Sequence, residues 1–496
     1  MIEQAPALIV VIPLISALFI TIIGLYQPRV SWLLTIITFA LSSIFAFICL
    51  KQVVTVGPIS YVFGNWPAPF GIEYAIDHLN ALIVLMICVV AFLVAIYSKH
   101  DIIKELGDKI PHFYSLFTLL VTGLLGITLT GDAFNLYVLL EISALTSYAL
   151  LALSGGRAYI ATFNYLIMGT IGACFYLLGV GYLLINTGSL NMADISVILS
   201  SNTYSYTVLA AFLFIMIGMW TKMALFPLHS WLPNAYTYAP TSTSCLLAPL
   251  MTKVSVYVML RMMTSVFNYD YIFNVLQWQH IIVALAVIAI LAGSVLALRQ
   301  DNLKRMLTYL IVAEIGYMVG GAWLGNANGF TGASYHIIAD GFMTLCLFLA
   351  IGCIIYKVGD ASLSSMKGIF TKMPITMVGF LIGAFSMIGI PPTCGFFSKW
   401  YLISGAYEAS AWAFLVALLI SSLVNAVLFF RIIEVGYFQA LPSEEPNHHH
   451  PKINRDEAPL TMLIPLLTTA GLLIGIGLYT ADIITYLIHP FIKNFL

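Results

Sequence analysis

Apolar runs of about twenty residues follow one another along this chain with little else between them. A hydrocarbon layer is crossed by a helix of about 20 apolar residues, and only helices or closed barrels satisfy their backbone there. Fourteen such runs occur, near 5–25, 31–50, 78–98, 111–130, 132–154, 158–187, 204–226, 240–264, 278–298, 302–324, 330–357, 373–407, 410–438 and 459–489. Charged residues make up 8% of the 496 positions and hydrophobic ones 61%, against roughly 25% charged in soluble domains. The expected fold is an all-α polytopic membrane protein with about 14 transmembrane helices. The longest polar stretches, 51–77 and 439–458, are too short for a soluble domain.

The basic residues orient the chain. Loops after odd-numbered spans hold Arg29, Lys99, Lys104, Lys109, Arg157, Arg299, Lys304, Arg305, Lys357, Lys367, Lys372, Arg431, Lys452 and Arg455. Loops after even-numbered spans, with the termini, hold only Lys51, Arg261 and Lys493. By the positive-inside rule, both termini are expected outside a prokaryotic plasma membrane, with 439–458 a cytoplasmic loop. The first run is too long for a signal peptide and lacks a basic leader, so it reads as a mature helix.

Other chemistry is poorly represented. The net charge of −1 argues against a nucleic-acid partner. Seven cysteines lie scattered in apolar segments without a CxxC, and no GxGxxG or Walker loop follows a strand pattern. No cofactor and no metal are expected. His448–His450 resemble a metal tract, but a solvated loop is the expected reading.

The informative residues are charges inside spans. Lys222 stands in GMWTKMALFPLHSWLP, Lys253 in APLMTK and Lys399 in GIPPTCGFFSK; Glu141, Glu314, Asp340 and His336 also lie well inside apolar runs. A lysine or aspartate at the bilayer centre costs about 2.5–3.5 kcal/mol on insertion scales, and such residues normally face protein or a wet path. Fixed ion pairs and snorkelling are the bland explanation. Asp132 and Asp482, near span ends, fit an interfacial place.

Prolines stand beside all three lysines: Pro227, Pro249 and the pair Pro391-Pro392. Each frees the carbonyl four residues back, here Met223, Cys245, Met387 and Ile388, and predicts a helix break. Broken helices with a charge near the midplane, in matching places of two halves, point to an ion path. If Glu141 pairs with Lys222, separating them favours proton release and re-forming the pair favours uptake. Lys253 and Lys399 would take the proton in turn, with His336 bridging. Glu314 and Asp340 either extend this path or form fixed pairs with a lysine.

Three segments carry a resemblance: TKMALFPLHSWLPNAYTYAPTSTSCLLAPLMTKVSVYVMLR, LRQDNLKRMLTYLIVAEIGYM and SMIGIPPTCGFFSKWYL. They resemble the antiporter-like membrane subunits of respiratory complex I and the Mrp antiporters, most nearly the D-type subunit of the Mrp-type cation/proton antiporter. The resemblance implies fourteen helices with two inverted five-helix repeats, spans 4–8 and 9–13, and interrupted helices 7 and 12. The chain then divides into spans 1–3 at 1–110, the repeats at 111–265 and 278–438, the loop at 439–458 and a last helix at 459–496.

It further implies proton transfer by Glu141, Lys222, Lys253, His336 and Lys399. His229 marks the inlet near the helix-7 break. The partners implied are other membrane subunits of one complex, protons and sodium ions, within the lipid bilayer. Departures exist: Asn234 and Tyr236 replace an acid and a histidine of some relatives, and Asp340 and Thr344 replace a histidine and a lysine. The function implied is the proton-translocating subunit of an Mrp-type Na+/H+ antiporter, with no redox or hydrolytic chemistry of its own. A subunit of a membrane-bound hydrogenase or an NADH:quinone oxidoreductase is the alternative. A scaffold with fixed ion pairs and a stand-alone solute carrier are rivals of other classes.

Overall fold

The computed structural model describes residues 3–201, 205–439, 455–493 and 495. Most of the 439–458 loop, including His448–His450, lies outside the described residues.

Long helices α1 (Ala5–Tyr26) and α2 (Pro28–Val56) lead to a hairpin of β1 (Ile59–Val62) and β2 (Glu73–Ile76), antiparallel with Ile59 opposite Ile76. Then come α3 (His78–Leu106), α4 (Ile110–Leu129), α5 (Ala133–Ala152), α6 (Arg157–Thr187) and a short α7 (Met192–Ser201). The seventh span expected from the sequence is α8 (Tyr206–Met223) with α9 (Leu232–Tyr238), and α10 (Thr241–Ser265) follows. The second half holds α11 (Gln279–Leu298), α12 (Leu303–Trp323), α13 (Ala327–Val358) and a single turn, α14 (Ile369–Lys372). The twelfth span is α15 (Pro374–Ile388) with α16 (Cys394–Glu408); α17 (Trp412–Phe438) and α18 (Leu460–Leu478) complete the bundle.

Among the described residues, 12 helical segments are long and apolar enough to cross a membrane. One of them, 78–129, is two helices joined at Gly107–Lys109, and the α15–α16 pair crosses in two pieces. That makes fourteen crossings, as the sequence led one to expect.

Burial places the centre of the bundle. Helices α10, α12 and α13 are buried nearly all round, whereas α1, α2, α6, α11 and α17 keep an exposed apolar face. A helix apolar all round belongs to a core, and α10 indeed packs on α3, α4, α8, α12 and α13. In lipid, such packing relies on small residues that let backbones approach. At Gly218 on α8 an added Cβ would stand 2.7 Å from Gly172 O and 2.8 Å from Tyr176 N, both backbone of α6.

Two of the three expected breaks are present. α8 ends where Ala224 turns left-handed (φ 64°) before Pro227, and α15 ends at left-handed Gly389 (φ 95°) before Pro391-Pro392. The third is corrected: α10 runs unbroken through Pro249. A proline removes one helical hydrogen bond, and packing on five neighbouring helices holds the remaining turns in register.

Candidate functional site: a file of buried charges

The four charged groups of the core differ in how they are held. Glu141 lies mid-way along α5 and Lys222 one residue before the end of α8. Lys222 Nζ stands 4.0 Å from Glu141 Oε1, with Lys222 buried and the glutamate a quarter exposed. That is ion-pair range but beyond a hydrogen bond, and neither atom has another protein partner. A cavity of about 20 Å³ adjoins the lysine, lined among others by Ser143, Met251 and Ser255. This is room for about one water. Lys222 is therefore the loosest ammonium of the set.

Lys253 is held oppositely. Its Nζ lies 2.8 Å from Asp340 Oδ2 on α13, 3.1 Å from Ala248 O and 3.4 Å from Thr344 Oγ1. Thr344 donates in turn to Asp340 Oδ1 at 2.8 Å. Three acceptors surround three protons, and both charged side chains are wholly buried. Asp340 thus pairs with a lysine.

Lys253 does not project from the face of α10 that fronts Lys222. Met251, Val254, Ser255 and Val258 front the Lys222 cavity, while Lys253 turns to α13. The two ammonium groups thus lie toward different sides of that helix. Thr252, at an intermediate position of the same turn, supplies a hydroxyl between the two sides, and its Oγ1 is buried without a partner.

Glu314 pairs with His336 and not with a lysine. His336 Nε2 lies 2.6 Å from Glu314 Oε2, and Nδ1 lies 2.9 Å from Ser398 Oγ on α16. Ser398 donates to Gly395 O at 3.0 Å, so its oxygen accepts from Nδ1–H. The contact between Nε2 and Oε2 can hold one proton, either on a carboxyl facing neutral imidazole or on imidazolium facing carboxylate. That is a seat across which a proton can hop.

Lys399 has no carboxylate within 4.0 Å among the described residues. Its Nζ donates to Met387 O at 2.7 Å, Ile388 O at 3.3 Å and Ser422 Oγ at 3.2 Å. These two carbonyls are the ones that the proline pair frees, so the helix break makes the lysine's binding site. Asn425 Nδ2 adds a second donor to Met387 O at 3.2 Å. The ammonium also lies over the Tyr317 ring, 5.3 Å from its centroid, and that ring neighbours His336 with centroids 5.5 Å apart. Tyr317 thus joins the His336 and Lys399 centres. Sequence reasoning passed over it, although it sits three residues after Glu314, on the same helical face.

His229, half-buried, lies in the α8–α9 break against the rings of Phe226 (4.9 Å) and Tyr309 (6.4 Å). No contact between its ring and Lys222 is present. The candidate residues therefore fall into four centres with gaps, in place of one unbroken string.

The sequence pattern of the family described as NADH:quinone oxidoreductase/Mrp antiporter, transmembrane, matches residues 130–425. The chain belongs to this family. It is 40% identical to the N-type subunit of the NADH-quinone oxidoreductase of Desulforudis audaxviator over 99% of this chain and 98% of that one. It is 31% identical to the D-type subunit of the Na(+)/H(+) antiporter of Bacillus subtilis over 93% of this chain and 94% of the other. Among solved structures, a chain of the membrane-bound sulfane sulfur reductase, an archaeal respiratory membrane complex, superposes with a TM-score of 0.88 at 29% identity, covering 99% of this chain and all of that one. The protein is thus an antiporter-like membrane subunit, and its relatives are divided between antiporters and respiratory complexes.

Proposed function

We propose that this subunit moves protons across the membrane through Glu141, Lys222, Lys253, His336 and Lys399, with Asp340 and Glu314 as members of the same path. The observation that carries the proposal is the Lys253–Asp340 pair, a full ion pair with no exposed surface at the middle of the bundle. Burying such a pair gains little net stability over apolar packing. Its flanking by a shared-proton seat at Glu314–His336 and by the loosely held Lys222 supports transfer over scaffolding. Separating or closing each pair changes the proton affinity of both partners, so a charge shift at one centre is felt at the next.

The finer reading is a subunit of an Mrp-type Na+/H+ antiporter, in which proton uptake drives sodium exit through partner subunits. A second reading has a specific observation behind it: the relative at 40% identity is named as a quinone oxidoreductase subunit. There, electron transfer in a partner would drive the pump. The subunits that co-purify with the tagged chain separate the two, since redox subunits fit only the second. Glu141→Ala then tests the relay itself: proton transport by the reconstituted complex is expected to fall more than tenfold with assembly intact. Lost assembly, or full transport, supports the scaffold.

A further inference from the structure

A second buried charge cluster lies outside this file, toward the lysine- and arginine-rich face. Asp101, one turn from the end of α3, is 5% exposed, and Lys304, on the first turn of α12, is 6% exposed. Asp101 Oδ2 accepts from both the backbone N (2.9 Å) and the hydroxyl (2.5 Å) of Ser242, on the first turn of α10. Glu105, exposed one turn further out on the same face of α3, accepts from Thr241 N at 3.0 Å. Lys304 Nζ donates to Ala239 O at 3.1 Å. Among the described residues, no carboxylate lies within 4.0 Å of Lys304 and no cation within 4.0 Å of Asp101.

Capping the start of α10 does not explain this. An asparagine at 101 would offer Ser242 the same kind of acceptor oxygen without the charge, and an unpaired buried carboxylate is expensive. A group that is neutral for part of its cycle escapes that cost.

The cluster also aligns with the midplane pair. Ser242 and Lys253 are eleven residues apart on unbroken α10, about 16 Å along it and within about 20° of one face. One turn inward from Asp101 on α3 is Tyr97, wholly buried, whose hydroxyl donates to Leu349 O at 3.2 Å. It lies beside the thiols of Cys245 and Cys353. The Tyr97 hydroxyl sits against Gly352 of α13, eight residues or about 12 Å along that helix from Thr344, which donates to Asp340.

We propose that Glu105, Asp101 and Tyr97 form a proton inlet from the basic face to the Lys253–Asp340 pair, with Asp101 as the loading group. This rests on the relay reading above. A proton from solvent settles on Glu105 and passes to Asp101; the Asp101 carboxyl gives its proton to the Tyr97 hydroxyl oxygen as that hydroxyl releases its own, and water in the remaining stretch of about 12 Å along α13 carries the released proton to the Thr344–Asp340 end. Lys304 steadies the carboxylate left behind. The other titratable groups facing Asp101 are Lys104 on α3, Tyr114 on α4, Cys245 on α10 and Cys353 on α13.

The test uses the whole complex, isolated through a tag on this chain and reconstituted in vesicles with an internal pH dye. Asp101→Asn keeps an acceptor for Ser242 and Asp101→Ser withdraws it, and neither carries a proton; Lys253→Ala reports on the relay. In whichever of the two variants assembles, proton transport is expected to fall at least tenfold, and Asp101→Glu is expected to restore it to within threefold of wild type. Transport within twofold of wild type in Asp101→Asn or Asp101→Ser overturns the inlet, as does failure of both to assemble, which makes the carboxylate a structural cap. Lys253→Ala separates the two claims. If it is inactive while Asp101→Asn is active, the inlet alone fails; if it transports normally, the relay itself fails.

Discussion

Lys253 Nζ lies 2.8 Å from Asp340 Oδ2, with both side chains wholly buried. Removing one partner leaves a lone charge in the core, which costs about 3–5 kcal/mol, whereas replacing both by apolar groups of similar size is nearly neutral. Asp340→Ala is therefore expected to lower the melting temperature of the solubilised complex markedly. Lys253→Met combined with Asp340→Leu is expected to restore it but not proton transport. Thermal unfolding and vesicle transport, measured side by side, check both halves.

Glu314 Oε2 and His336 Nε2 lie 2.6 Å apart. Glu314→Gln keeps a hydrogen-bonding group of the same shape but cannot hand a proton over. Transport is expected to drop at least tenfold with assembly unchanged. Ser398→Ala only frees the ring's other nitrogen and is expected to have a milder effect, two- to fivefold. Equal losses in the two variants would point to ring positioning as the main role of the cluster.

The Lys399 ammonium is the donor that Met387 O and Ile388 O receive at the helix break. Its removal leaves buried carbonyls short of partners, at about 1–3 kcal/mol. Lys399→Ala is expected to lose both stability and transport, and Asn425→Ala, which removes only the second donor to Met387 O, a smaller part of the stability alone. Thermal shift and transport assays on the two variants read this out.

At the α6–α8 contact there is no room for a methyl group. Gly218→Ala would press its Cβ against Gly172 O at 2.7 Å and Tyr176 N at 2.8 Å, and backbone cannot yield as a side chain does. The variant is expected to assemble poorly, as judged by the yield of intact complex, even though the residue touches no charge.

Much of this was legible in the sequence because the bilayer imposes it. Apolar run length determines crossings, and proline beside lysine marked the α8–α9 and α15–α16 breaks, down to the Met387 and Ile388 carbonyls that Lys399 occupies. The same signal misled at Pro249, where packing around α10 outweighs one lost hydrogen bond. Partners across helices were beyond reach, since nothing local tells Lys253 to choose Asp340 over Glu314. Nor does spacing along a chain reveal that Lys222 and Lys253 front opposite sides of α10. Tyr317, Ser398 and Asp101 escaped notice because a hydroxyl, or an acid near a span end, does not stand out in sequence as an intramembrane lysine does.

The claim that the buried charges carry protons is tested most directly at Lys222, the least constrained of them. Proton transport by the reconstituted complex should be compared between wild type and Lys222→Ala at equal amounts of assembled protein. A fall of tenfold or more is the expected result. Transport within twofold of wild type, with the complex intact, would contradict the account.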